Sequence, residues 1–188
     1  RNSQGFGLIP TRVLGQSPAT AGFGQYWIDA GDSGPIYNGE AVSSASGSVV
    51  TGQGSATASV IGVLQGVFYN AATTLKPTWQ NHYVASTTPA NSENTTAFVI
   101  DNPFQLYNVS ADAALTQAQI FTTMGLTVTA NGSTTSGQSS SELTVGTVHV
   151  TANQWRVVRS AEDPENNENA ADRSVIICQN LNQYLLNT

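Results

Sequence analysis

The stretch VIGVLQGVFY, residues 60–69, is a nearly continuous apolar run broken by two glycines and one glutamine. A run of this length and composition predicts a β-strand that is buried on both faces. It is too short to span a membrane, which takes about 20 residues. Gly62 and Gly66 predict β-bulges or the close approach of another backbone, because a glycine has no side chain to pack.

Further strand candidates lie on both sides of this run, and polar turns separate them. Strands do not alternate with helices, as they would in βαβ units. The pattern predicts about eight to eleven short strands in an all-β protein, either a single compact β-barrel or a β-sandwich. The other strand candidates are residues 25–29, 35–42 (a strand, a turn and the start of a strand), 77–84, 96–100, 104–109, 126–129, 142–150, 155–159, 173–178 and 181–186.

Two segments remain ambiguous in the sequence. Residues 111–124 are the only plausible helix, although Leu115 and Ile120 fit a helical face imperfectly, and Gly125 would end it. Residues 43–59 are rich in Ser, Gly, Thr and Ala, which is typical of a mobile loop or a weak hairpin. We therefore expect at most one short helix.

Residues 1–24 are predicted to form an extended N-terminal arm, and residues 25–188 the β-rich domain. The arm combines glycines and prolines with isolated apolar residues and shows little periodicity. A segment of this kind rarely packs on its own core alone, so we expect it to lie against a neighbouring molecule. Its apolar anchors are Phe6, Leu8, Ile9, Val13 and Leu14.

The charge content of the chain is low, since 10% of its 188 residues are charged and the net charge is −6. Typical soluble domains contain about 25% charged residues. The many Ser, Thr, Gly and Asn residues suit a β-rich protein with numerous turns. The five arginines are scattered, so no nucleic-acid surface is expected. No apolar run approaches the length of a membrane span, so we expect no membrane partner.

Neither the cysteine nor the histidines predict a metal site. The single cysteine, Cys178, excludes an internal disulfide and a cysteine-rich metal centre. It lies within VIIC, residues 175–178, so we expect a small buried side chain rather than a reactive thiol. The spacing of His82 and His149 matches no metal motif. We therefore predict no metal and no cofactor.

Five acids lie within EDPENNENAAD, residues 162–172, just before the last strand candidate. An EF-hand is excluded, because Glu168 stands where the loop needs glycine and Ser174 where it needs glutamate. A looser calcium site is an alternative, and so is a catalytic carboxylate pair, which needs an apolar pocket around one acid. We predict instead a structured turn, in which Pro164 fixes one φ angle and the asparagines bond their own backbone.

The stretch GDSGP, residues 31–35, invites comparison with the nucleophile motif of chymotrypsin-like serine proteases. Those proteases have one further glycine in the motif, and their serine follows the histidine along the chain. Ser33 instead precedes both His82 and His149, so a glycine-rich turn is the better interpretation. With no convincing nucleophile, base or metal cluster, we predict that the chain is not an enzyme.

Three blocks of the sequence together resemble the capsid decoration (cement) proteins of tailed bacteriophages. The blocks extend over most of the chain as separate pieces. Near the N-terminus the similar stretches are residues 7–12 (GLIPTR), 24–28 (GQYWI) and 36–42 (IYNGEAV). In the centre they are residues 61–69 (IGVLQGVFY), 77–83 (PTWQNHY) and 97–103 (AFVIDNP). At the end they are residues 155–158 (WRVV), 163–166 (DPEN) and 176–184 (IICQNLNQY).

The resemblance implies a β-rich homotrimer on the outer face of the phage head, where it binds the major capsid protein. It implies no catalytic residue and no cofactor. A protein of this kind opposes the outward pressure of packaged DNA by bridging neighbouring capsid subunits. Repetition of the bridge over the capsid lattice multiplies its effect.

Two groups of residues are candidates for contacts with the capsid or within the trimer. The apolar arm residues would dock in a partner groove, and the arginine would pair with a capsid carboxylate. The acids would form a trimer contact or an exposed rim. The candidates are Phe6, Leu8, Ile9 and Arg12 from the arm, and Glu162, Asp163 and Glu165 from the acidic run.

Two other functions fit parts of the sequence. A carbohydrate-binding or adhesin-like module would use Trp79, Tyr83 and Trp155 as stacking platforms, which requires these side chains to be exposed. A hydrolase would be built on Ser33 or on the acidic run, which requires a histidine within hydrogen-bond reach or a pocket. We expect the three aromatic side chains to lie in the core or in an interface instead.

Overall fold

The computed structural model describes residues 5–15, 22–52, 56–127, 132–149, 153–161 and 173–185. In these ranges the chain has twelve strands and two single-turn 3-10 segments, Ala90–Ser92 and Gln117–Gln119. The strands, in chain order, are β1 (Ile9–Val13), β2 (Gly24–Ile28), β3 (Ala41–Ala45), β4 (Ser48–Thr51), β5 (Gly62–Asn70), β6 (Pro77–Gln80), β7 (Thr95–Ile100), β8 (Gln105–Ser110), β9 (Thr123–Leu126), β10 (Leu143–His149), β11 (Trp155–Ser160) and β12 (Ser174–Gln179).

The strands form two six-stranded antiparallel sheets that pack against each other. Sheet A has the order β1-β8-β12-β11-β9-β10. Sheet B has the order β2-β7-β5-β3-β4. Strand β6 also belongs to this sheet. It pairs with the second half of β5, on the same edge where the first half of β5 pairs with β3. The all-β prediction is confirmed, and two packed sheets are compatible with the sandwich alternative.

Two clusters of buried apolar side chains stabilise the fold. The first fills the space between the sheets, where Tyr107 and Trp155 of sheet A pack with Val63 of sheet B. The second lies on the other face of sheet B and includes Leu64 and Val67. Sheet B curls around this second cluster, so that its end strands β2 and β4 approach each other. Part of sheet B is therefore buried on both faces.

Strand β5 shows why residues 60–69 decide the fold. Its side chains alternate between the clusters, with Val63 in the first and Leu64 in the second, as burial on both faces requires. A β-bulge lies between Leu64 and Gly66 in the pairing with β7. A Cβ atom at Gly62 would come within 2.0 Å of a β7 carbonyl oxygen. The predicted bulge and the predicted close backbone approach are both confirmed.

The helix considered over residues 111–124 is wrong. Gln117–Gln119 forms one 3-10 turn, and the chain then enters β9, where Gly125 is an interior strand residue rather than a helix stop. Thr123 and Met124 pair with β11, and the Met124 side chain is fully buried. Sheet pairing and burial outweigh the weak helical pattern of this segment.

Residues 43–59 contain a hairpin, which was one of the two alternatives. Strands β3 and β4 pair antiparallel, with Ala45 opposite Ser48. The two residues between them, Ser46 and Gly47, have positive φ angles of 52 and 87. Such angles are those of a type I′ turn, whose twist matches that of the flanking strands.

Part of the predicted arm belongs to the domain itself. Strand β1 pairs with β8 at an edge of sheet A. Leu8 is 1% exposed and packs in the first cluster, and its N–H group donates to the Gly39 carbonyl oxygen at 2.8 Å. Contrary to the sequence-based expectation, Leu8 is not available to dock in a partner groove, because its own chain already buries it.

Candidate docking face and groove

One face of sheet B packs against sheet A over only part of its length. At one end Ala41, Val63 and Ile100 lie opposite one another across β3, β5 and β7. All three pack into the first cluster and are at most 6% exposed. We call this row the covered end of the face, because sheet A lies over it.

The same face continues along β5 and β7 and becomes exposed to solvent. Here Trp27, Thr96, Phe68 and Trp79 lie opposite one another across β2, β7, β5 and β6. Neighbouring strands are about 4.8 Å apart, so the row is about 14 Å long. Trp27 is 63%, Phe68 37% and Trp79 56% exposed. We call these four residues, together with Phe98, the uncovered end.

Trp79 is positioned by its neighbours in the uncovered end. Its ring packs against Phe98 with a centroid distance of 5.0 Å and an angle of 50° between the ring planes. The indole also passes close to Gly66, where a Cβ atom would come within 2.5 Å of the ring. Gly66 thus makes room for the indole against the sheet, which leaves the ring little freedom to move.

The uncovered end carries no charged side chain. Its one polar member is Thr96, and Gln25 borders it on β2, opposite Phe98. Within the described parts of β2, β5, β6 and β7, no Asp, Glu, Lys or Arg shares this face. Contacts made here depend on apolar and aromatic packing, so they should be insensitive to salt.

Trp27 and Phe68 were not predicted as contact residues. The signal for Trp27 is present in the sequence, because it alternates with Tyr26 and Ile28 in one strand and must point away from their side. The signal for Phe68 is hidden, since residues 60–69 are apolar at almost every position. Only the register between β2, β7, β5 and β6 brings Phe68 into line with the two tryptophans.

The arm residues predicted to contact a partner lie on sheet A or next to it. Ile9 is 44% exposed and Arg12 is exposed, both on the edge strand β1. Phe6 is half-buried, and its carbonyl oxygen accepts a hydrogen bond from Gln138 Nε2 at 2.9 Å. The structure therefore keeps Ile9 and Arg12 as surface residues but places them on a different sheet from the uncovered end. The predicted acidic contacts lie outside the described residues and stay predictions: Glu162, Asp163 and Glu165.

Of the three aromatic residues considered as stacking platforms, only Trp79 is exposed. Tyr83 is fully buried in the second cluster, and its hydroxyl donates to the Asp32 carbonyl oxygen at 3.2 Å. Burial raises the pKa of Tyr83 to about 12. Trp155 is fully buried in the first cluster, edge-on to Tyr107 at 5.6 Å. Tyr83 and Trp155 are therefore core residues, as expected from the sequence, and not exposed stacking platforms.

Ser33 is exposed, and the residues around it and His82 have structural contacts. At the GDSGP stretch the Gly34 N–H donates to Asp32 Oδ1 at 2.8 Å, which is the hydrogen bond of an Asx turn. His82 stacks on Tyr37 with ring centroids 5.8 Å apart, and burial lowers the pKa of its imidazole. In the part of the chain that the structure describes, no three His, Cys, Asp or Glu side chains are grouped closely enough to hold a metal ion.

A groove of about 540 Å³ lies where the end strands of sheet B approach each other. Strands β2 and β4 come close there without pairing, and residues near the C-terminus add to the wall. We call it the seam groove. The residues that line it are Tyr26, Ser44, Gly47, Ser48, Val49, Ser59, Ile61, Gln183 and Tyr184.

Hydrogen bonds orient two hydroxyl groups of the seam groove. The Tyr26 hydroxyl donates to Asp101 Oδ2 at 2.8 Å and lies 2.6 Å from the Tyr184 hydroxyl. Ser48 Oγ donates to Asp29 Oδ1. Burial, followed by the hydrogen bonds to Tyr184 and Asp101, strongly raises the pKa of Tyr26, so this phenol keeps its proton at physiological pH.

Comparisons of this chain with family models, with curated proteins and with solved structures find no match. The resemblance to capsid decoration proteins therefore stays a prediction from the sequence. Across the described ranges, neither 3-10 turn has the length or the apolar character needed to cross a bilayer.

Proposed function

We propose that this chain is a structural protein of a tailed-bacteriophage virion, which binds the outer surface of the assembled capsid head. It stabilises the shell by bridging neighbouring subunits of the major capsid protein. The observation that carries the proposal is the uncovered end of sheet B, an exposed aromatic row that continues a face otherwise buried by sheet A. The sequence resemblance supplies the identity of the partner.

The uncovered end has the chemistry of a protein-binding surface. Aromatic side chains, tryptophan above all, contribute much of the binding free energy at protein interfaces. Three of them stand in one row with exposed fractions between 37% and 63%. Soluble monomers rarely expose contiguous apolar patches larger than a few hundred Å². Because the sheet and the packing of Trp79 hold the row rigid, docking costs little side-chain entropy.

Bridging requires two contact surfaces on one molecule. The uncovered end of sheet B is one, and the exposed edge strand β1 of sheet A, with Ile9 and Arg12, is the other. A rigid protein that holds both surfaces can bind two capsid subunits at once, and the second contact forms at a high effective concentration. As a homotrimer the protein would present three copies of each surface.

The proposal is tested by co-sedimentation of the purified protein with capsids assembled from the major capsid protein of the encoding phage. We expect the protein to bind assembled capsids but not free capsid subunits. Trp27→Ala and Phe68→Ala should each weaken capsid binding about tenfold or more, as expected for residues at the centre of an interface.

Phe121→Ala is the matched control, because Phe121 is also an exposed aromatic residue, at 68%, but lies outside the uncovered end and, just before β9, far from β1 in the strand order of sheet A. Its affinity for capsids should stay within about threefold of the unmodified protein. Equal binding by all three variants, or equal binding to free subunits, would contradict the proposal. If Trp27→Ala instead changes the oligomeric state and leaves capsid binding intact, the uncovered end is a contact between copies of this chain.

A further inference from the structure

Two hydroxyl oxygens of the seam groove can accept hydrogen bonds from a ligand, because each hydroxyl already donates its proton within the protein. Tyr26 donates its proton to Asp101, so the short contact between the tyrosines has Tyr184 as the donor. The lone pairs of Tyr184 Oη are then left for a ligand. Ser48 likewise donates to Asp29, and its oxygen remains an acceptor. Such acceptors pair best with the hydroxyl groups of a ligand.

The groove also contains polar groups that are free to bind. Gln183 accepts the Ser44 backbone N–H through Oε1 at 3.1 Å, so its Nε2 group is the donor that remains. In the described ranges neither this amide nitrogen nor the side-chain hydroxyls of Ser44 and Ser59 form a hydrogen bond to the protein. A ligand with several hydroxyl groups would satisfy donors and acceptors together.

The charges around the groove select against anions. None of the described residues that line it is Lys, Arg, Asp or Glu. Two carboxylates, Asp29 and Asp101, accept hydrogen bonds from the Ser48 and Tyr26 hydroxyl groups of the groove. Their negative potential disfavours a carboxylate, phosphate or sulfate in the groove, so the ligand must be uncharged or cationic.

One wall of the groove is aromatic. Tyr184 is 54% exposed and Tyr26 is half-buried, so a phenol ring is accessible to a ligand. The C–H face of a pyranose ring packs well on an aromatic ring while its hydroxyls bond at the rim. The groove volume of about 540 Å³ lies within the usual range of small-molecule sites. We propose that the seam groove binds a neutral saccharide, one or two hexose units of a glycan.

Saturation-transfer NMR of the full chain with a panel of methyl glycosides tests this proposal. The panel consists of the methyl glycosides of glucose, galactose, mannose and N-acetylglucosamine, with lactose as a two-unit arm. Methyl β-glucuronide is the matched anionic ligand, because it differs from methyl β-glucoside by one carboxylate. We expect at least one neutral sugar to bind, and the glucuronide to bind about tenfold more weakly or not at all.

Two variants connect binding to the groove. Tyr184→Ala removes the ring and the acceptor and should weaken sugar binding about tenfold, whereas Tyr184→Phe keeps the ring and should weaken it less. Unfolding temperatures measured on both variants verify that they fold. Trp27→Ala should leave sugar binding unchanged, and Tyr184→Ala should leave capsid binding unchanged, so this proposal and the capsid function fail separately.

Absence of saturation transfer to every neutral sugar would overturn the saccharide proposal. So would equal affinity for the glucuronide, because the groove would then lack the selectivity that its carboxylates predict. Unchanged sugar binding by Tyr184→Ala would show that the sugar binds elsewhere on the protein.

Discussion

The covered and uncovered ends of sheet B are two rows on one face, with opposite surroundings. Ala41, Val63 and Ile100 are buried under sheet A, whereas Trp27 and Trp79 face solvent. Both rows are apolar apart from Thr96, and both are aligned across neighbouring strands. The difference is that sheet A covers only the first row.

The side chains also change in size and type between the two rows. Small and aliphatic residues suffice where another sheet of the same chain packs on top. Large aromatic residues occupy the row that its own chain leaves open, and these are the residues that carry binding energy at interfaces. The comparison shows that β5 and β7 each contribute residues to both rows, the one buried in the domain and the one exposed to solvent.

The largest expected effect is a difference in the free energy of unfolding between a variant of the covered end and a variant of the uncovered end. Ile100→Ala removes a buried side chain from the covered end and should lower the free energy of unfolding by about 2–5 kcal/mol. Trp27→Ala removes a side chain that is 63% exposed and should change it by less than about 1 kcal/mol. Urea unfolding of both variants, followed by circular dichroism, measures the difference.

Comparable destabilisation by Ile100→Ala and Trp27→Ala would show that the isolated protein already covers Trp27. In that case the loss for Trp27→Ala should depend on protein concentration, because a contact between copies is governed by mass action.

The second effect depends on pH and concerns Glu40, next to the covered end. Its carboxylate is 3% exposed and accepts hydrogen bonds from the Tyr37 N–H at 2.9 Å and from the Thr51 hydroxyl. Burial raises the pKa of Glu40 from its ordinary 4.5 to about 7, although these hydrogen bonds oppose the rise. Since the folded state favours the protonated carboxyl, this group's contribution is complete below pH 4.5 and is lost as the pH rises through about 7.

The loss from Glu40 amounts to roughly 3 kcal/mol between pH 4.5 and pH 8. Glu40→Gln keeps a hydrogen-bond acceptor without a titrating group, so the stability difference between this variant and the unmodified protein should change by that amount over the same pH range. Unfolding curves at several pH values measure it. A difference that stays constant with pH would show that Glu40 titrates normally in the folded protein.

The smallest expected effect compares two glycines of β5. A Cβ atom at Gly62 would meet the Ile100 carbonyl oxygen at 2.0 Å, so Gly62→Ala must shift backbone and should cost about 1–3 kcal/mol. At Gly66 the nearest atom is Trp79 Cζ2 at 2.5 Å, and that ring lies at the exposed surface. Gly66→Ala should therefore cost less, because its closest clash is with a side chain and its closest backbone atom is the Gln80 carbonyl oxygen at 3.0 Å. The added methyl group would displace the indole from its place against the sheet, so the variant should also weaken capsid binding.

Thermal unfolding of the two glycine variants gives the stability comparison, and co-sedimentation gives the binding comparison. A larger stability loss for Gly66→Ala than for Gly62→Ala would mean that Trp79 is fixed as firmly as the core. Unaltered capsid binding by Gly66→Ala would mean that the position of Trp79 does not matter for docking.

Much of the sheet architecture could be predicted from local sequence. Strand alternation, the bulge at Gly66 and the close backbone approach at Gly62 follow from residue types within a few positions of each other. The segment of residues 111–124 could not be assigned correctly, because its strand β9 is stabilised by pairing with a distant strand. Local propensity carries no information on that pairing.

The candidate sites were harder to predict than the fold. Whether a tryptophan is core or surface depends on which strand lies opposite, so Trp79 and Trp155 look alike in sequence although one is 56% exposed and the other fully buried. The uncovered end joins β2 to strands about 40 to 70 residues away along the chain, and the seam groove joins β2 to Tyr184. Such juxtapositions depend on register and sheet curl, which the sequence pattern does not specify.

The most direct test of the docking face is hydroxyl-radical footprinting of the protein, free and bound to assembled capsids. In the free protein Trp27, Trp79 and Phe121 should all be oxidised, and the buried Trp155 should not. On the capsid Trp27 and Trp79 should become protected while Phe121 stays reactive. Equal oxidation of Trp27 and Trp79 in the free and the bound protein would contradict the account.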